Sequence, residues 1–403
     1  MTADERRASL SMAAVFALRM LGLFLVLPVF MLEAHHYRGG SNPALIGLAM
    51  GIYGLTQAVL QAPLGLASDR IGRKKVIVLG LIVFAVGSVI AASASSVHGL
   101  IAGRAIQGAG AVSAAVTALL ADLTRDQVRT KGMALVGVSI GFTFALSLMI
   151  APPLAGWIGL SGLFVLTALL AVGGIAAVLL WTPPEPARHA DVPRGRIAEV
   201  WRHPALWRLH LGVLVLHSVQ MSMWVVVPGL LLAAGMPQPA QWHVYLPAVL
   251  ASFVLLGGLF SAERHGHLLA VWRGAIALLA LVQLAFLLAA PRAPGVWTVG
   301  VILAFFFVAF NILEASQPSL VSQLAPAHSR GAALGVYNTM QSIGLFVGGA
   351  LGGWAFKEAG AAGVFGATTV LAALWLVIGW AQPVPASSDR AVVEPKDGSV
   401  TAQ

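Results

Sequence analysis

The segment Gly65-Leu66-Ala67-Ser68-Asp69-Arg70-Ile71-Gly72-Arg73-Lys74-Lys75 sets five charged residues between two runs, 44–64 and 76–94, that contain no Asp, Glu, Lys or Arg. Each run approaches the roughly 20 apolar residues that an α-helix needs to cross a hydrocarbon core about 30 Å thick. The charged stretch therefore reads as a tight cytoplasmic hinge between two membrane helices. Similar runs recur outward from it in both directions, from Leu10 to Trp380.

With 58% hydrophobic and 10% charged residues in 403, the chain lacks the polar surface of a soluble domain. Twelve spans are expected, near 11–32, 44–67, 75–94, 98–121, 133–157, 161–181, 205–233, 242–261, 268–290, 296–321, 331–356 and 361–381. The net charge of +9 does not require a nucleic-acid partner, because 19 of the 24 basic residues fall on one side if both termini are cytoplasmic. Only Arg38, Arg292 and Lys357 fall on the other, which is the positive-inside pattern. Arg19 and Arg104 lie within spans. The first run is too long for a signal-peptide core and reads as a retained helix. Absence of cysteine removes thiol catalysis and thiolate metal sites. No Gly-rich phosphate loop is present, so active transport would draw on an ion or substrate gradient.

Residues 182–204 switch to proline and mixed charge, which suits a cytoplasmic linker between two six-helix bundles, 1–181 and 205–381. Residues 382–403 read as a disordered cytoplasmic tail. The halves echo each other weakly. Glu263-Arg264-His265-Gly266-His267 follows the eighth span as Asp69-Arg70-Ile71-Gly72-Arg73 follows the second, and 120–131 aligns with 321–332, placing Arg129 opposite Arg330. A duplicated six-helix unit is the mark of a secondary transporter with a substrate site near the midplane.

Gly65-x-x-x-Asp69-Arg70-x-Gly72-Arg73-Lys74 resembles the signature loop of the major facilitator superfamily. Arg104-Ala105-Ile106-Gln107-Gly108-Ala109-Gly110 resembles the second motif of its drug/proton antiporter branch. Leu18-Arg19-Met20-Leu21-Gly22, Ile52-Tyr53-Gly54-Leu55-Thr56-Gln57-Ala58 and Phe307-Val308-Ala309-Phe310-Asn311 are similar to YajR-like transporters. The span-five antiporter motif is present only as Ala151-Pro152-Pro153-Leu154-Ala155-Gly156, which leaves the direction of transport open. The resemblance implies a twelve-helix, all-α major facilitator fold. It also implies a cytoplasmic gate in which Asp69 faces the start of span eleven near residue 331 and Arg73 pairs with Asp122. Gly65 permits close helix approach, Gly72 the turn, and Arg70 and Lys74 complete the motif. The neutral alternative is a solvated topogenic loop.

A charge within a span costs several kcal/mol unless it faces a cavity or a partner. Glu314, in Phe310-Asn311-Ile312-Leu313-Glu314-Ala315-Ser316-Gln317, is expected to be the clearly buried acid and to carry the coupling proton. Arg104 and Arg19 are expected to assist it or to clamp helices. Tyr53, Gln57 and Gln61 recur every four residues and share a helix face. With Gln107, His217, Asn311, Gln317, Tyr337, Asn338 and Gln341 they are candidate cavity residues, although polar groups in spans also bond neighbouring helices. Gly344, Gly348 and Gly352 have a small-residue spacing suited to helix packing. The expected protein is an alternating-access transporter of the bacterial inner membrane, exporting a small amphipathic compound or drug in exchange for protons. No cofactor other than the coupling proton is expected, and no metal; the bilayer and the substrate are the expected partners of a monomer. Symport or facilitated movement of a sugar or metabolite, and a non-transporting receptor or scaffold, remain alternatives. No nucleophile–base or metal-ligand constellation points to an enzyme.

Overall fold

The computed structural model describes residues 1–185, 197–264 and 267–382. Its helices are α1 (Ala3–Ala34), α2 (Pro43–Ile71), α3 (Arg73–Ala92), α4 (Val97–Ala109), α5 (Ser113–Asp122), α6 (Asp126–Ala176), α7 (Ile197–Arg202), α8 (Pro204–Ala233), α9 (Trp242–Arg264), α10 (Leu268–Ala289), α11 (Val296–Leu324) and α12 (Arg330–Trp380). Among the described residues, nine helical stretches are long and apolar enough to cross a membrane. Large apolar side chains such as Trp157, Trp297 and Val254 stand at 79–88% exposure, the outer surface of a protein solvated by lipid.

Helices α6 and α12 each hold 51 residues, about 75 Å at 1.5 Å per residue and more than twice the hydrocarbon thickness. Each folds back on itself. Ser139 and Thr167 of α6 bond the carbonyls of Ala13 and Gly22 on α1, at 3.3 and 3.0 Å. Positions 28 residues apart on α6 meet positions only nine apart on α1, so the two limbs lie side by side. The reversals fall at Gly159 (φ 63°, ψ −176°) and at Ala359-Gly360, where Gly360 has φ 59° and ψ −153°. Such backbone is essentially restricted to glycine. With these limbs counted separately, α4 and α5 as one broken span, and α7 set aside, the helices are consistent with twelve crossings.

The duplication is visible in atomic detail. Arg129 donates to the Ala121 carbonyl at 3.2 Å, and Arg330 donates to the Ser322 carbonyl at 3.0 Å. Each arginine closes the turn into a 51-residue helix, and Gly159 and Gly360 stand at the same separation from them. The other echo, at Glu263–His267, includes residues 265–266, which lie outside the described residues.

One expectation is corrected. The fourth span is not continuous: α4 stops at Ala109 and α5 resumes at Ser113. The break falls among glycines in close contact with neighbouring helices, since a Cβ on Gly108 would lie 2.9 Å from the Tyr53 carbonyl carbon and one on Gly110 3.0 Å from Phe84 Cβ. The linker is structured at both ends. Its end forms the short helix α7 with Val200 buried, and its start is tied down where Lys74 Nζ donates to the Thr182 carbonyl at 2.7 Å and Glu185 accepts from the Lys74 amide. The stretches 186–196 and 383–403, expected as linker and tail, lie outside the described residues. Near the chain start, Glu5 is buried. It accepts from Arg125 Nε at 2.7 Å, and this bond holds the Arg125 guanidinium above its ordinary pKa.

The halves are sealed at one end. Helix α2 lies against the first limb of α12 through glycines. A Cβ on Gly353 would fall 2.7 Å from Gly47 Cα, one on Gly349 2.7 Å from Gly51 Cα, and one on Gly51 2.6 Å from the Phe346 oxygen. At the same end Gln238 donates to Glu33 at 2.7 Å, and one buried apolar cluster runs from Val26, Phe30, Ile46 and Leu148 of the first half into the second. At the basic end the first half keeps a separate cluster around Met12, Phe16, Val76 and Leu119. There Gly137 of α6 and Gly331 and Gly335 of α12 face open space.

Candidate functional site

The charged turn is built on Gly72, whose φ of 119° separates α2 from α3. Arg73, at the start of α3, reaches back to three oxygens. It pairs with Asp69 one helical turn earlier, donates to Ser68 Oγ at 2.7 Å, and meets Asp122 Oδ2 at 3.1 Å across the end of α5. Gly65 faces Ala114, with 3.5 Å from an added Cβ. Arg70 is exposed.

In the first half, two guanidinium groups are packed around Tyr53. Arg19, on α1, is 1% exposed and donates to Tyr53 Oη at 2.7 Å, Ser113 Oγ at 3.1 Å and Gln57 Oε1 at 3.2 Å. Arg104, on α4, is equally buried and lies 4.9 Å over the Tyr53 ring, donating to Gln107 Oε1 at 3.0 Å and the Met50 carbonyl at 3.4 Å. Gly108 makes this possible, because its bare Cα lets α4 rest on α2 at Tyr53. Gln57 continues outward, its Nε2 donating to Ser342 Oγ on α12 at 3.0 Å. One hydrogen-bond chain thus joins Arg19 in the first half to the second.

In the second half, Gln341, the neighbour of Ser342, bridges Glu314 and His217. Its Nε2 donates to Glu314 Oε1 at 3.1 Å and lies 2.7 Å from His217 Nε2. His217 Nδ1 lies 3.1 Å from the Val213 carbonyl, so Nδ1 carries a proton and in the neutral ring Nε2 accepts from Gln341. Glu314 Oε2 is 3.5 Å from that same Nε2 and has no hydrogen bond. Glu314 is not the clearly buried acid expected from sequence. Its side chain is 38% exposed, whereas Glu5 holds the buried position. The carboxylate meets α8 and α12, with Oε2 itself buried although the side chain as a whole keeps that exposure.

Several cavity candidates sit instead in helix contacts. Gln107 is 1% exposed, with Nε2 on Ser88 Oγ at 2.7 Å. Gln317 is fully buried with its amide unpartnered, close to Gly212 of α8. Gln61 and Tyr337 are buried with polar atoms unpartnered. Asn311 donates to Ser252 of α9 at 2.6 Å. Asn338 is half-buried, its carbonyl taken by Ser342 Oγ at 3.0 Å. Sequence reading missed Ser342, Ser113 and the seam glycines Gly47, Gly51, Gly349 and Gly353. The Gly47-x-x-x-Gly51 spacing was available as a signal; the serines carried none.

Two helical bundles enclosing polar groups at mid-span define a membrane transporter of the secondary class. The sequence profile described as Major Facilitator Superfamily matches residues 9–349 and again 262–400, and the chain belongs to that family, whose members are transporters and not enzymes. It is 45% identical over 384 residues to the inner membrane transport protein YajR of Escherichia coli K12, covering 94% of this chain and 84% of that one. It is 26% identical over 360 residues to multidrug resistance protein 2 of Bacillus subtilis 168, covering 83% and 85%. Among solved structures, an inward-facing, occupied bacterial homolog of the human lysosomal transporter Spinster superposes with a TM-score of 0.72. At 15% identity over 94% of this chain and 97% of that chain, it shows the fold alone.

Proposed function

We propose that this transporter exports a small amphipathic compound in exchange for protons, by alternating access, as a monomer in the inner membrane with both termini cytoplasmic. The basic end is then the inner face. The conformation described is open to the cytoplasm and sealed outside by the α2–α12 glycine seam. The observation that carries the reading is the adjacency of Gln341 and Ser342. One residue holds Glu314 and His217, and the next holds Gln57 and Arg19 in the opposite half.

A proton arriving at this site cannot leave Gln341 in place. Added to Glu314 Oε2, it finds His217 Nε2 as acceptor and displaces the Gln341 amide from that nitrogen. Added to His217, it puts an N–H where Gln341 already presents one, and the amide must turn over. Either event loosens the turn of α12 that Ser342 ties to the first half, so protonation and closure of the seam are coupled through one helix. The Asp69–Arg73–Asp122 cluster is the counterpart at the inner end, poised to meet α12 when that end closes. A relative named as a multidrug resistance protein supports export as the direction.

The test is purified protein in liposomes loaded with a pH dye and offered organic cations, organic acids and sugars. Substrate-driven proton movement is expected, and Glu314→Gln is expected to abolish the proton signal while leaving insertion intact. Coupled movement that persists in Glu314→Gln removes the proton assignment. Proton and substrate moving in the same direction would establish symport instead.

A further inference from the structure

The exporter reading leaves the cargo unnamed, and the two arginines of the first half narrow it. Arg19 and Arg104 are each 1% exposed, and each keeps a buried Nε without a hydrogen-bond partner. Their other donors meet only neutral oxygens of Tyr53, Gln57, Ser113, Gln107 and Met50. Among the described residues no carboxylate pairs with either guanidinium. Glu314, the acid at mid-span, is engaged by α8 and α12 in the other half. Two buried positive charges therefore share one tyrosine without a counter-ion, an arrangement that membrane proteins keep where charge is supplied from outside the fold. A helix clamp would need one guanidinium whose donors are satisfied. It would not need two with unsatisfied nitrogens.

We propose that the cargo is an organic anion, an apolar body bearing one carboxylate or sulfonate, whose anionic oxygens replace Gln57 Oε1 on Arg19. The proposal rests on the transporter reading above and specifies its substrate class. Gln57 is the replaceable partner because it is half-buried and its other end is tied to Ser342 across the seam. In the cytoplasm-open state, a cargo arriving from the inner side displaces the Gln57 oxygen and leaves the Arg19 donors to a charged one. A guanidinium binds such a group with two parallel N–H bonds. An anionic cargo lowers the uncompensated charge of this half from two to one, whereas a cationic cargo raises it to three.

The experiment compares three naphthalene probes of one shape, 2-naphthoate, 2-naphthamide and 2-naphthylmethylammonium, by radioligand binding to the purified full-length chain in nanodiscs. Naphthoate is expected to bind at least about tenfold tighter than the amide, and the ammonium probe weakest. Arg19→Gln and Arg104→Gln should each remove that preference, weakening naphthoate binding far more than amide binding. Tyr53→Phe keeps the ring under Arg104 and frees an Arg19 donor, so naphthoate binding should hold or tighten in a variant with little risk of misfolding. Tightest binding of the ammonium probe, equal losses for all three probes, or loss of naphthoate binding in Tyr53→Phe would overturn the proposal. Proton flux in liposomes separates the two readings. Flux driven by the ammonium probe keeps the exporter and removes the anion site, and naphthoate binding without any proton-linked flux does the reverse.

Discussion

Gly348 and Gly349 are adjacent on α12 yet face different neighbours, and this makes the outer seam testable by a single methyl group. A Cβ on Gly349 would lie 2.7 Å from the Gly47 oxygen and 2.7 Å from Gly51 Cα, both backbone atoms of α2 in the opposite half. A Cβ on Gly348 would lie 2.7 Å from Ser218 Cα on α8, within the same half. Carbon contacts settle near 3.5–4.0 Å, so either alanine must push its neighbour back by about 1 Å. Overpacking of this kind costs roughly 1–3 kcal/mol. Placed at the seam, the cost falls on the sealed state alone, and about 2 kcal/mol shifts the ratio of sealed to parted conformations by about 30-fold. Placed against α8, the same cost falls on both states. The chain has no cysteine, so Arg38→Cys and Lys357→Cys, on exposed positions of the two halves, can carry a spin-label pair for electron–electron distance measurement in nanodiscs. Gly349→Ala is expected to add a longer distance, and Gly348→Ala to lower Tm with the distance unchanged. Equal distance distributions in the two variants would refute the assignment of this seam as the outer gate.

Arg73→Gln removes donors to Ser68, Asp69 and Asp122 together. Because partly exposed ion pairs contribute about 1 kcal/mol or less each, liposome transport is expected to fall about tenfold or more while Tm moves only a few degrees; unchanged transport would leave this turn a topological role alone. Gly159→Ala, at φ 63° with open space around the Cβ, is expected to cost about 1–3 kcal/mol through backbone strain alone. It should lower Tm without changing the spin-label distances, and an undiminished Tm would show that the reversal is carried elsewhere.

The fold was largely legible because lipid leaves a chain few ways to satisfy its backbone, so hydropathy alone places most helices. The expected spans match the helix ends to within several residues, and the 51-residue helices reverse where two spans were expected to meet. The repeat was legible in Arg129 and Arg330 because each does the same local job. What escaped was set by contacts between distant segments. The close approach of Tyr53 and Phe84 to Gly108 and Gly110 at the break after Ala109 is one such contact. The burial of several cavity candidates was hidden for a related reason. Residue type marks Gln107 and Gln317 as polar, but only packing shows that Gln107 serves Ser88 and Arg104 while Gln317 is sealed beside Gly212. Glu314 illustrates the limit in the other direction, because its position in an apolar run suggested full burial and the structure leaves its side chain 38% exposed.

The first limb of α12 emerges as the coupling element by geometry. Gly344, Gly348 and Gly352 press it onto Leu214, Ser218 and Ser222 of α8, and Ser218 and Ser222 hydroxyls bond the Gly344 and Gly348 carbonyls at 3.1 and 3.0 Å. That face is bonded as well as packed, so the limb moves with the second half. Its other face meets α2 through glycine backbones, with Gln57–Ser342 as the polar tie at that face. A contact made of bare backbone has no side chains to disengage, so it can open without repacking a core. The proposed proton site lies where this asymmetry is most useful. Gln341 lies at the inner edge of the seam, where the rotation of one amide reaches the next residue and through it the opposite half. Under the proposed mechanism, substrate charge at Arg19 and proton charge at Glu314 act on successive residues of one helix, a short mechanical path between two sites in different halves.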